Sequence, residues 1–130
     1  MRLHTHPCNA LPTEIKLHQV SRILEIHFDD GKDFMLPCEY LRVYTPSAEA
    51  LGHAPGQEIL QTGKENVTIR EIHPIGNYAI CPVFSDGHNS GIYTWDLLYQ
   101  LGAEYDSLWT SYLERLKAAG YQRLEPQHLQ

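Results

Sequence analysis

Apolar and polar residues alternate through residues 14–20 and again from Ile23 to Phe28, where Leu24, Ile26 and Phe28 share one face and Ile23, Glu25 and His27 the other. A period of two is that of a half-buried strand, so the two runs read as paired strands. The Ser21-Arg22 link is short enough for a hairpin, and Asp29-Asp30-Gly31 supplies a second turn in which Gly31 is free to take positive φ. Residues 32–36 then return as a third strand. Two further extended runs, 67–75 and 78–84, flank Gly76-Asn77, a dipeptide suited to a tight hairpin. Pro82 has no amide donor, which predicts that 78–84 lies at a sheet edge or bulges near its end.

The period changes to that of a helix at two places. Pro37 can open a helical turn, Glu39 favours its positive end, and Pro46 stops it soon after Tyr44, so one short helix is expected there. Further on, Thr94 can cap a helix beginning at Trp95, Asp96 lies in its first turn, and Gly102 stands where a left-handed terminator is wanted. Tyr105, Leu108, Trp109, Tyr112, Leu113 and Leu116 then recur at helical spacing, with Gly120 as the stop. The expected fold is α+β: a small antiparallel sheet of about five strands, one short helix, and two C-terminal helices covering one face. Residues 13–120 form the domain, and 1–12 and 121–130 are read as tails. The longest aperiodic segment, 46–63, holds Gly52, Pro55, Gly56 and Gly63 and is the natural place for binding contacts.

Length and composition narrow the function classes. A chain of 130 residues is one domain with a real core. Sixteen acidic against ten basic residues give a net charge of −6 with no Lys/Arg block, which argues against nucleic acid as the main partner. No stretch approaches the roughly 20 apolar residues of a membrane span, and the N-terminus lacks the apolar core of a signal peptide, so no membrane contact and a cytoplasmic location are expected. Cys8, Cys38 and Cys81 have no CxxC spacing and read as reduced thiols, the latter two packed rather than reactive.

Local signatures of catalysis are absent: there is no P-loop, dinucleotide fingerprint, HExxH or GxSxG. Asp29, Asp30 and Asp33 do not make a calcium loop, because Gly31 falls too early and no glutamate closes it. His73 reads as a surface residue, whereas His53 and His88 stand in glycine-rich loops where imidazole could reach a ligand. Asp86-Gly87 explains a turn, but His88, Asn89 and Ser90 beside it make a polar set richer than a connector requires. The candidate surface for a ligand or partner is therefore Arg42, Ser47, Glu49, His53, Asp86 and His88. The leading expectation is a non-catalytic domain acting through an unidentified protein partner. The alternative is a metal or small-ligand site built on His53 and His88, with Asp86, Glu49 or a cysteine as further ligands.

The stretches EYLRVYTPSAEALGHAPG and IHPIGNYAICPVFSDGHNSGIYTWDLL resemble an uncharacterised bacterial family described as gamma-butyrobetaine hydroxylase-like, N-terminal domain, over residues 11–116. In the dioxygenases that give the family its name, the resemblance implies a small domain preceding the catalytic double-stranded β-helix and holding a structural zinc through three cysteines and one histidine. The corresponding positions here are Thr45, Ser47, Ala50 and His88, of which only the histidine is a zinc ligand. Hydroxyls and a methyl group do not replace thiolates, so the resemblance implies a degenerate zinc site and no cofactor. The iron-binding and oxoglutarate-binding residues of those enzymes belong to their other domain, so their hydroxylation is not expected of this chain. Similar domains fused to P-loop iron-sulfur carriers of the Mrp type imply a link to iron-sulfur or redox protein maturation, as a module docking another protein. The chain has no cysteine cluster of its own to hold such a centre.

Overall fold

The computed structural model describes residues 10–47 and 59–123. Strands β1 (Pro12–His18), β2 (Ile23–Phe28) and β3 (Asp33–Pro37) form an antiparallel meander in the order β1-β2-β3. Its inner face is the alternating set of the sequence: Leu24, Ile26 and Phe28 are buried, with Leu17 and Leu36 opposite Leu24, and Ile15 and Phe34 opposite Ile26. The first hairpin differs from expectation. His18 and Ile23 close the ladder, so the link is four residues, 19–22, rather than Ser21-Arg22 alone. Arg22 takes φ 57°, and Val20, which had extended the alternation, is 74% exposed at the loop. Gly31 takes φ 89° in the second turn, as the dipeptide chemistry required.

The second sheet, β4 (Ile69–Ile75), β5 (Ala79–Phe84) and β6 (Tyr93–Thr94), has the order β4-β5-β6. The described residues thus hold six strands in two three-stranded antiparallel sheets, not about five in one. The two residues of β6 are too few to show a period. Pro82 lies in the middle strand of its sheet, yet β6 pairs only with Ala79 and Ile80, so the ladder on that side has ended before Pro82. Phe84, two residues on and turned to the same side, donates its N–H to the His88 carbonyl at 2.9 Å. The missing donor of Pro82 therefore costs no ladder bond.

Helix α1 (Cys38–Val43) follows β3 directly, and α2 (Trp95–Ala103) and α3 (Tyr105–Ala118) follow β6. Thr94 caps α2, its hydroxyl accepting the Leu97 N–H at 3.2 Å. Gly102 is not the left-handed terminator the sequence suggested. It lies inside α2, where a Cβ would stand 2.4 Å from the Phe34 ring, so glycine serves close helix–strand approach instead. Gly120, by contrast, is a terminator with φ 78°: its N–H reaches the Lys117 carbonyl and the Tyr121 N–H the Leu116 carbonyl, the bonds of a Schellman motif. Leu108, Tyr112 and Leu116 of α3 are buried, whereas Leu113 is 39% exposed.

One core joins both sheets and the three helices. Buried tyrosines cross it as ties, each hydroxyl donating to a main-chain carbonyl: Tyr40 to Leu101 (2.6 Å), Tyr44 to Leu108 (2.7 Å) and Tyr93 to Leu41 (2.5 Å). Leu101 and Leu41 lie in the last turns of α2 and α1, whose carbonyls have no partner further along their own helix. The tails are engaged further than expected. Ala10 is buried, Pro12 is already in β1, and Arg123 pairs with Glu39 (Nε to Oε2, 2.8 Å) while lying 5.4 Å over the Trp109 ring. The desolvated Glu39 carboxylate gains a bidentate partner this way, which outweighs the fraying expected of a polar terminus.

Candidate functional site

The Asp86-Gly87 turn is the foundation of the site. Gly87 takes φ 91° and donates its N–H to the Phe84 carbonyl, while Asp86 Oδ1 accepts the His88 N–H at 3.2 Å. This arrangement aims Asp86 Oδ2 at Arg42 Nε (2.9 Å) and Lys64 Nζ (2.6 Å). Arg42 also donates through Nη1 to Gln61 Oε1 at 3.0 Å. The guanidinium comes from the last turn of α1 and is buried, so its charge needs a partner of opposite sign nearby. Burial by itself would raise the Asp86 pKa, but the hydrogen bonds from Lys64 and the His88 N–H, together with the Arg42 charge, lower it to about 2.

On the other side of the turn, His88 Nε2 lies 3.0 Å from Thr45 Oγ1. That hydroxyl also accepts the Ser47 N–H at 3.3 Å, and Ser47 Oγ lies 2.8 Å from Ser90 Oγ. Two residues past the end of α1 are thereby joined to the β5–β6 connection. Gly91 allows the approach, since a Cβ there would sit 2.5 Å from Thr45 Oγ1. Below them the buried Tyr93 has its hydroxyl pKa pushed up by burial, so it stays a neutral donor to Leu41.

Of the residues expected at a zinc site, the structure brings Thr45, Ser47 and His88 together, while Ala50 lies outside the described residues, as do Glu49 and His53. Among the residues proposed for a ligand or partner surface, Arg42 joins Asp86, and Asp86 meets His88 through the main chain. Arg42 and Ser47 are only 7% and 6% exposed, so they brace this region from beneath rather than presenting themselves. Lys64, Gln61 and Gly91 were not singled out as site residues by their sequence context, and Ser90 only as part of the polar set beside His88. Gln61 falls in the aperiodic segment and Lys64 just past its end, so neither carried a signal of its own.

Among the described residues, no three His, Cys, Asp or Glu side chains are grouped so as to hold a metal ion. Cys38 is buried and burial raises its thiol pKa; Cys81 is half-buried, and its Sγ donates to the Asn89 carbonyl at 3.1 Å. His73 is exposed beside Glu71. No described helix is long and apolar enough to cross a membrane. A second polar group occupies the outer face of the first sheet, where His27 bridges β2 and β3. Its Nδ1 lies 2.6 Å from Asp33 Oδ1 and its Nε2 meets Glu25, whose other oxygen lies 2.7 Å from His18 Nε2. Asp33 first and Glu25 next raise the His27 pKa.

Residues 15–99 match the family described as gamma-butyrobetaine hydroxylase-like, N-terminal. The chain belongs to that family. Two NMR solution structures resemble this member along almost their whole lengths. The first is 44% identical, covering 98% of this chain and 96% of that one with a TM-score of 0.80. The second is 42% identical, covering 92% and 94% with a TM-score of 0.77. A crystal structure of a protein of unknown function from Acidithiobacillus ferrooxidans ATCC 23270, belonging to the DUF971 family, is 43% identical, covering 72% of this chain and 93% of that one with a TM-score of 0.60. No curated protein matches the sequence. The fold is thus shared with a protein of unknown function.

Proposed function

We propose that this member of the gamma-butyrobetaine hydroxylase-like N-terminal family is a non-catalytic protein-interaction module. Its contact region is the half-exposed edge of Asp86 and His88, and Glu49 and His53, which lie outside the described residues, are further contact candidates from the sequence. The observation that carries the reading is the mutual pairing of the polar groups. Asp86 is shared by Arg42, Lys64 and the His88 N–H, and the His88 ring meets Thr45. A Thr45–His88 contact of 3.0 Å has the spacing of a nucleophile and its base, but Thr45 is 2% exposed, which leaves a substrate no approach to its hydroxyl. In the same reading, the Thr45–His88 and Ser47–Ser90 contacts do the work of a structural metal, joining the end of α1 to the β5–β6 connection. A partner in iron-sulfur or redox protein maturation is the class that the family resemblance favours.

Affinity capture with wild-type protein and with His53 and His88 both changed to alanine tests the contact region. The double variant is first shown to melt at the wild-type temperature. A stoichiometric partner lost from the variant is the expected result; no partner, or one retained equally, overturns it. Elemental analysis of tag-free protein tests the metal-free joint, for which zinc well below one per chain is expected and one zinc per chain is the refuting result.

A further inference from the structure

A groove of about 250 Å³ runs beside β3, lined by Asp33, Met35, Gly102, Tyr105 and Asp106 with Phe34 and its neighbours at the base. Asp33 and Met35 point to the outer face of the first sheet, whereas Phe34 and Leu36 point to the core. Residues of both faces line the same groove, so it follows the strand's edge and not either face. In the order β1-β2-β3 the second edge of β3 has no strand beside it among the described residues. By the alternation of the ladder, Asp33 and Met35 turn their main-chain N–H and C=O groups to this edge, and Pro37, which has no N–H, ends what it offers to an added strand. The volume is below that of a typical small-molecule pocket and suits one or two side chains.

From these features we infer that the β3 edge receives an extended segment of a partner protein bearing a lysine or arginine, which adds to the sheet as a fourth strand. The charge in the groove selects that chemistry. Asp33 stands on one wall, held at its lip by His27, and Asp106 on the other, in the first turn of α3. Tyr105 between them presents an aromatic ring stacked on Trp109, a surface on which a cation is favoured. Met35, 54% exposed, gives an apolar neighbour of the incoming strand a place to pack. A second copy of this chain is disfavoured as the occupant, because β3 itself carries no lysine or arginine to meet Asp33 and Asp106, in a chain of net charge −6. The groove lies on other elements than the Asp86–His88 region, so the inference stands apart from the contact region proposed above.

The test is titration of the full-length, isotopically labelled chain with an eight-residue peptide of alternating lysine and valine, followed by amide NMR. Its controls are the same peptide with glutamate for lysine and a version N-methylated at alternate residues. Saturable binding below about 1 mM is expected, with shifts concentrated at residues 33–36 and 102–106. The glutamate and N-methylated peptides should not bind. Changing Asp33 and Asp106 together to asparagine should weaken binding about threefold to thirtyfold, while Glu71→Gln on the edge of the other sheet should leave it unchanged. No saturation by 1 mM, shifts centred elsewhere, or equal binding of the N-methylated peptide would each overturn the inference.

Discussion

Replacing Gly102 by alanine sets helix propensity against packing, and the geometry decides the sign. At an ordinary helix-interior position the change stabilises by about 1 kcal/mol, because glycine loses more backbone entropy on folding. Here the new methyl would stand 2.4, 2.6 and 2.7 Å from three carbons of the Phe34 ring, closer than side-chain atoms sit in practice. The ring cannot swing aside freely, since it packs edge-on against Phe28 at 5.8 Å and Tyr99 at 5.4 Å between centroids. Either α2 moves away from β3 or the aromatic group repacks. Overpacking of this kind costs about 1–3 kcal/mol, and losing an aromatic contact adds about 0.5–1.5 kcal/mol. The net expectation for Gly102→Ala is destabilisation by about 0.5–3.5 kcal/mol, read as a lower urea midpoint with an unchanged slope. Introducing Phe34→Ala first should relieve the clash by removing the Cγ and Cδ atoms that the new methyl would meet, so that in this background the Gly102 alanine becomes neutral or stabilising. Wild-type or higher stability for the single variant would refute the close-approach role of Gly102.

Asp86→Asn keeps an acceptor for the His88 N–H but removes the charge opposite Arg42 and Lys64. With Asp86 a quarter exposed, the loss should be about 1–3 kcal/mol, less than for a fully buried pair, and is measured by chemical denaturation. Because the folded-state pKa of Asp86 is depressed to about 2, its contribution is fully present above its unfolded pKa and disappears as pH falls towards 2. The stability gap between wild type and Asp86→Asn should therefore narrow between about pH 4 and 2, and a constant gap would refute the assignment. His27 has the opposite sign. Its raised pKa means a stabilisation present below its unfolded pKa and lost as pH rises through the folded one, which NMR titration of its ring and of a Glu25→Gln variant should show. Tyr93→Phe should cost about 1–3 kcal/mol by leaving the Leu41 carbonyl without its hydroxyl donor in the core, whereas a thermal melt unchanged from wild type would count against the tie.

What could be read from the sequence was whatever repeats locally. The alternation of Leu24, Ile26 and Phe28, the hairpin at Gly76-Asn77, the Thr94 cap and the Gly120 stop all rest on neighbours within a few residues, and the structure has them in place, except that Tyr78 joins the hairpin link and the strand starts at Ala79. The misses have other causes. Gly102 was assigned a backbone role because glycine near a helix end commonly has one, while its reason is Phe34, 68 residues away in sequence. The engagement of Arg123 with Glu39 likewise follows from a tertiary contact that outweighs local preference, while β6 is too short to show a period and Arg22 takes its left-handed conformation in a hairpin link longer than the sequence suggested.

The candidate site divides along the same line. Asp86-Gly87 and His88 stood out because turn chemistry and an excess of polar side chains coincide there, and Thr45 and Ser47 because of a family correspondence. Neither signal could show that Arg42 would be buried, that Lys64 and Gln61 would close around it, or that Gly91 would leave room for the Thr45 hydroxyl. Those facts change what the histidine is for. A reactive imidazole needs an open side and a hydroxyl that substrate can reach, whereas His88 is matched to a hydroxyl 2% exposed, beneath a turn whose carboxylate is held by two cations. Each of these polar groups is costly to bury alone and acceptable only when paired, so they fix the relative position of α1 and the β5–β6 connection more firmly than apolar packing of the same volume would. A rigid, internally paired base of this kind would suit the protein-contact surface proposed above, because side chains that need not reorganise on binding lose less entropy when a partner arrives.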